Sequence, residues 1–137
     1  MIPSSVTSIE SGFLEGCSSL SGLPFIPSSV SSIGLWFLKG CSNLTEPPVI
    51  PSSVTRIGNE FLKCCQCIYT AFTKYQIEYN PDNSQSMRNA CQIYWKRHVR
   101  SVYCALKVTL PNELKFLILY SAFPQLSNTE INLILTE

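Results

Sequence analysis

Histidine, methionine and charge are all scarce in this 137-residue chain, which has one His, two Met and only 14% Asp, Glu, Lys or Arg. Low charge together with 45% hydrophobic content excludes disorder throughout and fits one compact domain or two small ones. The net charge of +1 is spread thinly: −1 over residues 1–73 (three Lys/Arg against four Asp/Glu) and +2 over residues 74–137 (seven against five). Neither half has the basic field of a nucleic-acid binder, so no nucleic-acid partner is expected. Long apolar runs are missing as well. LKFLILYSAF at 114–123 falls far short of the roughly 20 residues a membrane span needs, so no membrane span is expected. The first residues lack a basic region followed by an apolar run, which predicts an intracellular, cytoplasmic protein. Met1 opens directly on a repeat with no polar segment before it, as in a fragment of a longer array, and an upstream export signal would move the expectation to the cell surface.

Motifs that carry chemistry are equally few. There is no glycine-rich phosphate loop and no carboxylate cluster at metal-ligand spacing. His98, between Arg97 and Val99, reads as a solvated side chain rather than a general base, and WKRHVR at 95–100 as a wet helix face. Asn43-Leu44-Thr45 matches a glycosylation triplet that matters only for an exported chain. Cysteine is the exception to scarcity, with seven residues. Cys64, Cys65 and Cys67 in KCCQC lack a second pair at zinc spacing, since only Cys91, Cys104 and His98 remain as donors. The odd count and the missing export signal point to a reducing compartment. No catalytic residue, cofactor or metal is expected.

What the chain has in quantity is repetition. IPSSV occurs at 2–6, 26–30 and 50–54, a period of 24 residues. Ile9, Ile33 and Ile57 share a column of the repeat, as do Phe13, Phe37 and Phe61, then Leu14, Leu38 and Leu62, then Cys17, Cys41 and Cys65. Polar residues drift between these columns, which is the pattern of a stacked array whose units cover one another's apolar side chains. Pro3, Pro27 and Pro51 belong at a strand edge or corner, because proline has no amide donor. SSVTSI then reads as a short extended segment bending into a turn. Gly34 and Gly58 are read as tight-turn positions with positive φ, although Glu10 holds that column in the first copy. GFLEGC, LWFLKGC and NEFLKCC read as a helical turn closed by Gly16 and Gly40, and SSLSGLPFIP as a returning strand. The fold class predicted is therefore an α/β repeat: a short leucine-rich-repeat solenoid of three 24-residue repeats, followed by a small helical C-terminal region.

The segments IPSSVTSIESGFLEGCSSL and IPSSVSSIGLWFLKGCSNL resemble the BspA-type class of leucine-rich repeats. The resemblance covers residues 1–73 and implies a solenoid with a sheet on one face, a protein-binding surface and no catalysis. The exposed variable positions expected to meet a partner are Thr7, Ser8, Ser11, Ser31, Ser32, Leu35, Thr55, Arg56 and Asn59.

Beyond a linker at 74–83, residues 84–137 read as helical. Asn83 or Ser84 is placed to cap a helix whose Met87, Cys91, Tyr94, Trp95, His98, Val102 and Leu106 form one stripe. Thr109 is the expected cap of a second helix, with Leu114, Leu117, Ile118 and Ser121 along one flank and Phe123-Pro124 at its end. NTEINLILTE at 128–137 adds a third, short segment packed through Ile131, Ile134 and Leu135. In this tail SMRNACQIYW and VTLPNELKFLILY resemble the two halves of a SOCS box. That likeness implies a ubiquitin ligase adaptor that binds elongin B/C through Met87, Cys91 and Trp95, and a cullin through Leu110, Pro111, Leu114 and Lys115. LPNEL also opens like an F-box, but too little chain follows for one. Two alternatives stay open: the tail only caps the array, or the chain is a BspA-like surface or adhesive protein.

Overall fold

A computed structural model describes residues 2–22, 25–106, 111–124 and 126–136. Two compact units emerge, Met1–Tyr94 and Trp95–Glu137. The first holds three two-residue strands, β1 (Ser8–Ile9), β2 (Ser32–Ile33) and β3 (Arg56–Ile57), which form a parallel sheet in sequence order. Ser8, Ser32 and Arg56 are in register, and so are Ile9, Ile33 and Ile57. The 24-residue period of the sequence is thus the register of the sheet. A parallel ladder follows because each copy re-enters on the same side: Ser31 N donates to Thr7 O at 2.8 Å and Thr55 N to Ser31 O at 2.9 Å.

IPSSV recurs because two of its parts bond. In each copy the Val amide closes a turn on the Pro carbonyl at 3.1 Å, at Val6, Val30 and Val54. The second serine then reaches back one copy, with Ser29 Oγ donating to Val6 O at 2.7 Å and Ser53 Oγ to Val30 O at 2.8 Å. Prolines at the turn start give up no ladder bond, as their missing donor requires.

The expected helical turns of all three copies are absent from the described residues. In their place a second ladder runs between copies, built on backbone that alternates into the left-handed region. Positive φ occurs at Gly12, Leu14 and Gly16, at Trp36, Leu38 and Gly40, and at Glu60, Leu62 and Cys64. A helix needs consecutive right-handed residues, so this alternation cannot coil. It instead lets Gly12 N donate to Leu35 O at 2.8 Å, Gly16 N to Lys39 O at 2.7 Å and Gly40 N to Lys63 O at 2.8 Å. Each left-handed non-glycine residue costs about 1–2 kcal/mol, so stacking must offset the strain. Phe37 and Leu38 are fully buried, and the Phe13, Phe37 and Phe61 rings stack at 6.2 and 6.0 Å with interplanar angles of 10° and 3°. Thiols contribute as well: Cys41 Sγ donates to Leu14 O and Cys65 Sγ to Leu38 O, both at 3.0 Å.

Gly34 and Gly58 are glycine for a different reason from the one expected. Neither has positive φ, but a Cβ on Gly34 would lie 2.5 Å from Ser11 N, and one on Gly58 2.5 Å from Gly34 C. The column must be bare because the preceding copy's backbone presses on it. Glu10 tolerates a side chain because no described residue occupies the corresponding place before the first copy.

Residues 18–27 form no strand in their described part; Leu23 and Pro24 lie outside the described residues. The third copy runs into α1 (Gln66–Lys74), a helix whose Ile68 and Phe72 are fully buried. Its Tyr69 hydroxyl accepts from Cys64 N at 2.9 Å and donates to Leu62 O at 3.1 Å. Those two groups correspond to the ones that the next copy's carbonyl and thiol satisfy elsewhere in the array. One phenol therefore stands in for a fourth copy.

Helix α2 (Ser84–Leu106) starts where the sequence places it, with Asn83 Oδ1 accepting from Ser86 N at 2.9 Å. Ser84 Oγ donates to Gly58 O at 2.6 Å, so the first residue of α2 also seals the third copy. Met87, Ala90, Cys91 and Tyr94 are buried within the first unit. In the second unit Trp95 meets Phe123 edge-on at 6.2 Å. Helix α3 (Asn112–Ala122) begins after Pro111; its expected cap, Thr109, lies outside the described residues. Helix α4 (Asn128–Thr136) opens on a capping box, Ser127 N to Glu130 Oε2 at 2.7 Å and Glu130 N to Ser127 Oγ at 3.1 Å. Ile131 and Ile134 are its buried residues.

Candidate functional site

Side chains alternate across a strand, so the buried Ile9 and Ile33 of the middle column leave their neighbours on the opposite face of the sheet. A groove of about 510 Å³ crosses that face over all three copies. It is lined by Ser8, Ser32 and Arg56 of the strands, by Ser11 and Leu35 just beyond them, by Glu10, Gly34 and Gly58 of the glycine column, and by the three isoleucines Ile9, Ile33 and Ile57. The groove is shallow and largely open to solvent.

Five of the nine variable positions singled out from the sequence meet there: Ser8, Ser11, Ser32, Leu35 and Arg56. Thr7, Ser31, Thr55 and Asn59 are exposed but do not line it. Two of these serve the ladder, since Ser31 Oγ donates to Thr7 O and Thr55 Oγ1 to Ser31 O, each at 3.2 Å. Ser11 Oγ accepts from Leu35 N at 3.1 Å and so fixes the groove's rim. Sequence reasoning missed Glu10, Gly34 and Gly58. The available signal was their position two residues after Ser8, Ser32 and Arg56, on the same face of each strand.

Met87, Cys91 and Trp95 follow one another at intervals of four along α2. Met87 and Cys91 are 0% and 1% exposed and pack in the first unit, and burial pushes the Cys91 thiol pKa up. Trp95 is buried in the second unit. Leu110 lies outside the described residues, Pro111 is exposed, and Leu114 is 47% exposed. Lys115 is buried, its Nζ 6.0 Å over the Tyr103 ring. Leu117 and Ile118 lie beside Leu114 on the solvent side of α3, so the flank read as one stripe is an exposed one.

Among the described residues no group of three or more His, Cys, Asp or Glu side chains could hold a metal ion, and no helix is long and apolar enough to cross a membrane. All seven cysteines are free thiols.

A parallel ladder in which every copy contributes one strand and one line of side chains defines a leucine-rich repeat domain, generally a protein-binding module. The chain belongs to a particular family of that class: residues 1–103 match the BspA type Leucine rich repeat region (6 copies). No curated protein and no solved structure matched the chain.

Proposed function

We propose that this protein recognises another protein through the sheet face of its three repeats, and that it binds rather than catalyses. The groove carries this reading: it spans all three copies, and five of the columns' variable residues converge on it. Solenoids bind through residues that packing leaves free, and a surface of three copies implies modest affinity. The free state of all seven cysteines supports a reducing, intracellular setting. A displayed-peptide library panned against the whole chain tests the reading. Binders are expected to be lost on Ser8→Trp, which fills the groove, and retained on Lys96→Glu, which alters α2 far along the chain; circular dichroism checks that both variants fold. Enriched binders indifferent to Ser8→Trp would place recognition elsewhere.

The finer reading makes the tail an adaptor box for elongin B/C and a cullin, and the chain a substrate receptor for ubiquitin transfer. It rests on the two tail motifs and on the exposure of Leu114. It also requires Met87 and Cys91 to leave the core in which they are buried. Pull-down of purified elongin B/C by the full chain, with Leu114→Asp as comparison, decides it: absence of capture removes the reading.

A further inference from the structure

The groove has a polarity that narrows what it takes, an inference that rests on the sheet face being the recognition surface. Glu10 lines it in the first copy and Arg56 in the third, with Ser32 and Gly34 of the second copy between them and the 40% exposed Leu35 just beyond Gly34. Arg56 is exposed and, among the described residues, its guanidinium has no partner. The other cations of the first unit are engaged: Lys39 and Lys63 with Glu60 and Asp82, Lys74 over the Tyr75 ring, Arg88 on Pro51 O. A solvent-facing guanidinium beside hydroxyl donors is a receptor for a carboxylate, and a carboxylate at the far end selects a cation.

Spacing turns this into a pattern. Adjacent strands lie ~4.8 Å apart, and residues two apart on a strand ~6.7 Å apart, so Arg56 and Glu10 are separated by about 12 Å at the backbone. An extended chain rising ~3.3 Å per residue covers that in about four residues, and its alternate side chains face the same way. We propose that the groove binds an extended protein segment presenting an Asp or Glu to Arg56 and a Lys or Arg four residues away to Glu10, with a small side chain midway over Ser32 and Gly34.

The test is an NMR titration of the full chain with three short synthetic peptides that share Ser-Ala-Ser at the centre. One is flanked by Glu and Lys, one by two Lys, one by two Glu. Two solvent-exposed ion pairs predict that the mixed peptide binds roughly three- to tenfold tighter than either other at low salt, and that the advantage shrinks as salt is added. Arg56→Glu makes both ends acidic and should transfer the preference to the two-Lys peptide. Equal binding of all three peptides, or a preference unmoved by Arg56→Glu, overturns the proposal. In that event library binders still sensitive to Ser8→Trp would leave protein recognition by the groove standing.

Discussion

Gly34 and Gly58 show how little room the array leaves between its copies. A methyl group at either position would sit 2.5 Å from backbone atoms of the preceding copy, and backbone cannot swing aside as a flexible side chain can. Gly34→Ala should therefore destabilise the first unit by about 1–3 kcal/mol or more, as overpacking does. Gly22 provides the internal comparison, because nothing lies within 4 Å of a Cβ there and its φ is ordinary. Gly22→Ala should be neutral or stabilise by up to about 1 kcal/mol. Urea unfolding of the two variants measures the contrast, and similar midpoints would refute the close approach. Sequence alone suggested that these glycines mattered, yet it could not say why: a turn residue and a residue under a neighbour's backbone look identical in one dimension.

The elements differ in how far their sequence announced them. The sheet register was legible because a fixed period of 24 residues admits only one parallel pairing. The second ladder was hidden, since Phe and Leu at neighbouring positions suit a helical turn as well as an alternating backbone, and only the stack of copies selects the strained form. Helix α1 was hidden for another reason: the repeat decays there, and no capping side chain marks its start. The groove was half legible. Its polar columns stood out by their variation, while Glu10 was read only as an exception to a glycine. Tyr69 is the residue on which the end of the array depends. Tyr69→Phe keeps the ring stacked on Tyr79 but removes the phenol's bonds to Cys64 N and Leu62 O, at a cost of about 0.5–1.5 kcal/mol. Amide exchange at Cys64 should accelerate in this variant while exchange at Ser31 and Thr55 is little changed. Uniform acceleration across the array would contradict a local capping role.

For the whole molecule the half-buried Tyr69 hydroxyl and the buried thiols set a limit at high pH. Burial raises the Cys65 thiol from its ordinary value near 9 to about 12, and it also raises Cys41 and Tyr69. Groups whose pKa is higher when folded leave stability intact below the unfolded value and remove it as the pH rises toward the folded one. Stability should hold through neutral pH and fall between about pH 9 and 12, first through the thiols and then through the phenols. Denaturant midpoints across that range check the sign, and Cys65→Ala should flatten the decline. A flat profile in the parent chain would mean that these groups are hydrated.

Because Tyr69 follows the third copy and its hydroxyl bonds to that copy's last turn, the three-strand array has a finished end and a middle copy that can be repeated. Length can change from within: a duplicated 24-residue segment at 26–49 would find a matching edge on each side and pass the same terminator along. Material appended after Lys63 would instead separate Tyr69 from the carbonyl it serves. Evolution, or an engineer, has reason to lengthen such a protein by internal duplication, inheriting its ending unchanged.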